Sequence, residues 1–62
     1  MSVATHPLLL DGPQTDLLRE LLERERRGLP VEIHHTDNND FRQLLRDRLK
    51  IVEELLRHIE NQ

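Results

Sequence analysis

Between Ile33 and Phe41 the chain reads I-H-H-T-D-N-N-D-F, which packs two histidines, two aspartates and two asparagines into seven positions. Imidazoles and carboxylates are the donors a divalent cation takes, so a metal site is the first chemistry to weigh. Such a site needs three or four donors converging at about 2.0–2.2 Å. His34 and His35 are adjacent, and on a helix they project about 100° apart, a poor arrangement for one ion. The stronger signal, two histidines at i and i+4, is absent from the sequence. Asp37-Asn38-Asn39-Asp40 lacks the turn glycine and the distant bidentate glutamate of a calcium loop. Asn, Asp and Thr are the residues that cap helices and make turns. The stretch therefore reads as a corner between two helices, with Asp37 as the cap of the second and no metal or cofactor expected. Two minor alternatives stay open: a metal held by His34 or His35 at an interface, and a pH-sensing contact from His35 to Asp40 or across a dimer. His6 and His58 stand alone and read as solvated.

Other chemistry finds little support. The chain has no cysteine, which removes a thiolate nucleophile, disulfides and thiolate zinc sites. There is no G-x-S-x-G elbow, and Thr15 and Thr36 sit in cap-like contexts. Two glycines in all cannot build a phosphate-cradling loop. Glu53-Glu54 falls on a solvated helix face. A two-helix unit also offers little concavity for a pocket of about 300 Å³ or more. The expectation is a protein that is not an enzyme.

Nucleic acid is a more serious rival. Arg24, Arg26 and Arg27 cluster, and Arg42, Arg46 and Lys50 form a stripe at i, i+4 and i+8 that could follow phosphates. Glu20, Glu23, Glu25 and Asp47 interleave with them, which suits ion pairs along a helix surface. The net charge is -3, Trp and Tyr are absent and there is one Phe. A basic excess and stacking platforms are both missing, so nucleic acid is not the expected partner. No apolar run approaches the roughly 20 residues of a membrane span, and Val3 to Leu10 lacks the basic flank of a signal peptide. A cytoplasmic protein is the expectation, which the missing cysteines fit.

The elements that carry these residues follow from spacing. Residues 1–10 have no helical period and contain His6-Pro7, an extended dipeptide, so they read as an arm ending in Leu8-Leu9-Leu10. Asp11-Gly12-Pro13 is a helix start, with Asp11 as N-cap and proline in the first turn; Asp16 suits the positive end of the dipole. Leu17, Leu18, Leu21 and Leu22 then recur at helical spacing. Gly28 followed by Pro30 is an ordinary stop signal, leaving Leu29, Val31 and Ile33 as a short strand or link. The rival reading carries the helix on to about residue 36 with a kink at Pro30, at a cost of about 3 kcal/mol. The stripe Leu18, Leu22, Glu25, Leu29, Ile33 and Thr36 runs unbroken through the proline, and this favours the continuous helix.

The second helix, about 38–60, follows a seam of Phe41, Leu45, Leu49, Val52, Leu56 and Ile59, spaced by fours and threes. Leu44, Ile51 and Leu55 widen that face to roughly 160°, more than one neighbouring helix covers. An antiparallel hairpin would pair positions whose numbers sum to about 74: Leu18 with Leu56, Leu22 with Val52, Leu29 with Leu45. The two charges that interrupt the apolar faces, Glu25 and Arg48, then fall at one level. Burying either alone is expensive, so a buried Glu25–Arg48 pair is expected, within the chain or across a dimer.

The chain resembles a set of short bacterial proteins of unknown function with the pattern L-L-R-E-L-L-E, V-E-I-x-H-T-D and F-R-x-L-L-x-x-R. The matching pieces are Leu17 to Glu23, Val31 to Asp37 and Phe41 to Arg48, within residues 11–59. Those proteins look helical where this chain has Gly28-Leu29-Pro30, and the resemblance implies no activity.

At 62 residues a domain buries only about 60% of its unfolded surface and is marginal alone. Without disulfides, partners or metals must compensate. The reading is an all-α protein, an antiparallel helical hairpin over 11–62 that dimerises into a four-helix bundle. Its expected core and interface are Leu18, Leu22, Leu29, Ile33, Phe41, Leu45, Leu49, Val52, Leu56 and Ile59. Its expected function is protein association, as a homo-oligomeric interaction or adaptor module that can also take a larger partner. The alternative is a small nucleic-acid-associated regulator of the antitoxin type.

Overall fold

Asp11 starts the first helix by a reciprocal cap. In the computed structural model, which describes residues 10–61, its carboxylate accepts the Gln14 N–H at 2.8 Å and its own N–H reaches the Gln14 side chain at 3.2 Å. This capping box satisfies two backbone donors at once; D-x-x-Q was present in the sequence as its signature. Helix α1 then spans Gly12–His35 and α2 spans Asn39–Glu60. The expected N-terminal arm lies outside the described residues except for Leu10, which is half-buried in no regular element. Asp16 falls beyond the first turn and pairs with Arg19 at 3.3 Å.

Helix α1 runs through Pro30, so the strand or link reading of residues 29–33 does not hold. Proline removes one N–H and crowds the carbonyl four residues back. Here Arg26 and Pro30 are both exposed, and the carbonyl that loses its donor can be met by water. The neighbouring Leu29 is the most deeply buried side chain, 2% exposed. Continuing the helix is what places Leu29 and Ile33 against α2, and their burial offsets the local cost.

The turn departs from expectation in one detail: Asn38, not Asp37, caps α2. The Asn38 side chain accepts the Phe41 N–H at 3.0 Å, and Asp37 is exposed in the connection. Asn and Asp are equivalent as caps, so the choice falls to the geometry of the corner. The Thr36 hydroxyl accepts the Asn38 N–H at 3.3 Å, and the Arg42 guanidinium reaches back to the Thr36 carbonyl at 2.5 Å. These two bonds hold residues 36 to 38 in the position from which Asn38 meets the helix.

The two helices pack along a single seam. Leu22 and Leu29 of α1 meet Leu45, Val52, Leu56 and Ile59 of α2, with Leu18, Ile33 and Leu49 half-buried at its edges. Among the described residues no helix is long and apolar enough to cross a membrane.

Candidate functional site

One side of the hairpin carries an open groove of about 840 Å³. The expectation that two helices offer little concavity is therefore corrected. The volume arises because the apolar face of α2 is wider than α1 can cover. Leu45, Val52, Leu56 and Ile59 turn toward α1 and are buried, whereas Phe41, Leu44, Ile51 and Leu55 remain exposed beside them. With Arg48 those exposed residues form a second seam, 41-44-48-51-55, spaced by threes and fours like a coiled-coil stripe.

Phe41, expected in the core or interface, is 45% exposed in the single chain and so lies outside the hairpin's own core. It sits at the shoulder of the wide face, lining the groove floor from the α2 side. The α1 wall is formed by Leu22, Leu29, Glu25 and Glu32. Leu17 and Leu21, also exposed, belong to the same side of α1 at helical spacing from Glu25.

Across the groove Arg48 Nε donates to Glu25 Oε1 at 2.5 Å. The pair forms as the register implies, yet it is not buried: the Arg48 side chain is 63% exposed and that of Glu25 40%. A single α1 neighbour shields one flank of the pair and leaves the other to solvent. Both residues use one atom each in this contact. With Asp47 and Glu32 they are the polar groups lining the groove, so the site is an apolar trough with one ion pair at its middle.

The histidine corner does not converge. His34 and His35 pack edge to face with ring centroids 5.5 Å apart, and both are exposed. Among the described residues no group of three or more His, Asp or Glu side chains is arranged to hold a metal ion.

The basic stripe divides between structural and free positions. Arg42, part of a stripe that sequence spacing offered to phosphates only as a minor reading, serves the corner: it donates to the Thr36 carbonyl and, at 3.5 Å, to the Asn39 side chain. Its buried Nε has no partner among the described residues. Arg24 pairs with Glu20 in the open, and Arg26 pairs with Glu23 along the flank of α1 that borders Glu53, Arg57 and Glu60 of α2. A basic residue placed four positions after a helix cap was the available signal for Arg42, and it is shared by many solvated arginines.

Comparison of the chain with protein-family models, with curated proteins and with solved structures gives no match.

Proposed function

We propose that the protein is a small protein–protein interaction module that associates with itself to complete a four-helix bundle. The observation that carries this reading is the second seam of α2, in which Phe41, Leu44, Ile51 and Leu55 stand exposed along a groove. Contiguous apolar surface of this kind marks an interaction site. The thinness of the core supports it further: among the described residues six side chains are buried, and a chain of this size needs more cover to be stable. Covering the second seam with helices supplies it. The module acts through contacts, without catalysis or a cofactor, and the lack of cysteine suits a reducing cytoplasm.

Light scattering after size exclusion, with refractive-index detection across a range of concentrations, tests the reading. A dimer or larger species is the expected result. A folded monomer at every concentration overturns self-association and leaves the groove to a different, larger protein partner.

The alternative, a nucleic-acid-associated regulator of the antitoxin type, draws on Arg46 and Lys50, which are exposed and have no side-chain partner among the described residues. Its signature is an affinity for nucleic acid that falls steeply as salt rises.

A further inference from the structure

We infer that the second copy docks with its two-fold axis parallel to the helices, so that Glu25 and Arg48 of both chains close one ring of alternating charge at mid-bundle. The inference rests on the self-association proposed above and specifies its geometry.

The first argument is the hydrogen-bond inventory of the pair. Arg48 engages Glu25 through Nε alone, and Glu25 answers through Oε1 alone. A guanidinium carries five N–H donors in a fork, and a carboxylate has two accepting oxygens. Both Nη groups of Arg48 and the Oε2 of Glu25 have no hydrogen bond among the described residues. What each member of the pair still lacks is a second copy of the partner it already has.

The second argument is position. Along α2 the pair is flanked by Phe41 and Leu44 on one side and by Ile51 and Leu55 on the other. Any surface that covers these four apolar residues also removes the pair from water. That surface must then supply charge of both signs at the level of Arg48, because a desolvated charge left short of partners is costly.

Two symmetric arrangements bring a second α2 seam to the groove. A two-fold axis perpendicular to the helices at Arg48 sets α2 against its own copy and Arg48 against the partner's Arg48, a like-charge contact that opposes docking. An axis parallel to the helices keeps every residue at the same height in both chains. Helix α1 of one chain then faces α2 of the other, antiparallel as within the hairpin, and Glu25 lies between its own Arg48 and the partner's Arg48. Charges of opposite sign alternate around the ring.

The apolar residues fit the same register. Leu21 lies four positions before Glu25, which in an antiparallel neighbour is the level between Ile51 and Leu55. Leu17, a turn earlier, falls beside Leu55. Gly28, three positions after Glu25, comes level with position 45, one residue from Leu44, and space is open around it. The exposure of Leu17 and Leu21 in the single chain, which the hairpin itself leaves unexplained, is thereby accounted for.

Charge reversal in separate chains tests the ring. Glu25→Arg makes all four ring positions positive in its own dimer, and Arg48→Glu makes all four negative. Each variant alone is expected to run as a helical monomer. An equimolar mixture is expected to recover twice the chain mass, as a one-to-one dimer weaker than wild type because the pair within each chain stays repulsive. If the wild type is a dimer but the variants keep its mass, or mixing leaves monomers, the ring is overturned while self-association stands. A wild type that is monomeric throughout removes both. Should a variant lose its helical circular dichroism alone, recovery of that signal on mixing becomes the readout, and no recovery overturns the ring.

Discussion

Arg48 of α2 and Glu25 of α1, 23 positions apart in the chain, meet across the groove at 2.5 Å. This contact ties the middle of one helix to the middle of the other at the level set by the apolar seam. It also sits where an apolar seam would otherwise be continuous. Exposed ion pairs of this type contribute about 0.2–1 kcal/mol, so its weight in holding a single hairpin together is small. In the proposed dimer its role is greater, because it sets what can lie on top.

Arg48→Leu separates those roles. The substitution removes the one charge in the 41-44-48-51-55 seam and adds apolar surface. The variant is expected to stay folded, with thermal stability equal to or above wild type, because the exposed pair contributes little to the single hairpin and a charge at the seam that the proposed dimer desolvates is often replaced by an apolar group at no cost. Its assembly state is expected to change, since a uniformly apolar seam no longer distinguishes one register from another. Light scattering and thermal melting followed by circular dichroism read the two effects. A mass unchanged from wild type removes Arg48 as a determinant of assembly.

The two seams of α2 should respond differently to truncation. Leu29 is almost fully buried against the inner seam, and Leu29→Ala is expected to cost about 2–5 kcal/mol, enough to unfold a domain this small. Leu44 is 61% exposed. Leu44→Ala should leave the hairpin's own packing untouched while weakening self-association, visible as a mass that falls with dilution sooner than wild type. Equal losses of helicity in both variants at a concentration where wild type is monomeric would contradict the division of α2 into an inner and an outer face.

Much of this arrangement is legible in the residue spacing alone. The stripe through Leu18, Leu22, Leu29 and Ile33 and the seam through Leu45, Val52, Leu56 and Ile59 carry a 3.6-residue period that two packed helices satisfy. The same periodicity located Glu25 opposite Arg48. Legibility failed where the deciding interaction is not periodic. Asp37 and Asn38 are chemically interchangeable as caps, and only the bonds among Thr36, Asn38 and Arg42 separate them. Arg42 looked like part of a basic stripe because spacing shows that it lies on a face, not that the end of α1 comes within its reach. Phe41 belonged to the wide apolar face as read, but a sequence does not say which half of such a face the one available neighbour will cover.

Pro30 is the point at which local rule and tertiary packing disagree most sharply. Proline inside a helix costs about 3 kcal/mol, and Gly28 adds roughly 0.5–1 kcal/mol relative to alanine. Both are exposed and a Cβ at Gly28 meets open space, so neither substitution to alanine disturbs packing in the hairpin. Pro30→Ala restores a backbone donor to α1, and Gly28→Ala narrows the unfolded ensemble. Both variants should therefore melt higher than wild type, Pro30→Ala by the larger margin. A lower melting temperature for Pro30→Ala would mean that the helix through this stretch depends on the proline geometry and would remove the packing account of its continuation.

The corner offers the sharpest local test, because two adjacent residues of similar chemistry have different roles. The Asn38 side chain satisfies an otherwise unpaired N–H at the start of α2, and losing such a cap costs about 1 kcal/mol. Asn38→Ala is expected to lower stability by that amount in urea unfolding. Asp37→Ala removes an exposed side chain that has no hydrogen bond among the described residues and should change stability by less than about 0.5 kcal/mol. Arg42→Ala joins the series from the other side of the turn. Its guanidinium ties the Thr36 carbonyl at the end of α1 to the first turns of α2, and its loss should cost about 1.5–3 kcal/mol, as for hydrogen bonds made by a charged group. The order Arg42, then Asn38, then Asp37 in destabilisation is the expected result. If Asp37→Ala proved costlier than Asn38→Ala, the cap would lie one residue earlier and α2 would begin at Asn38.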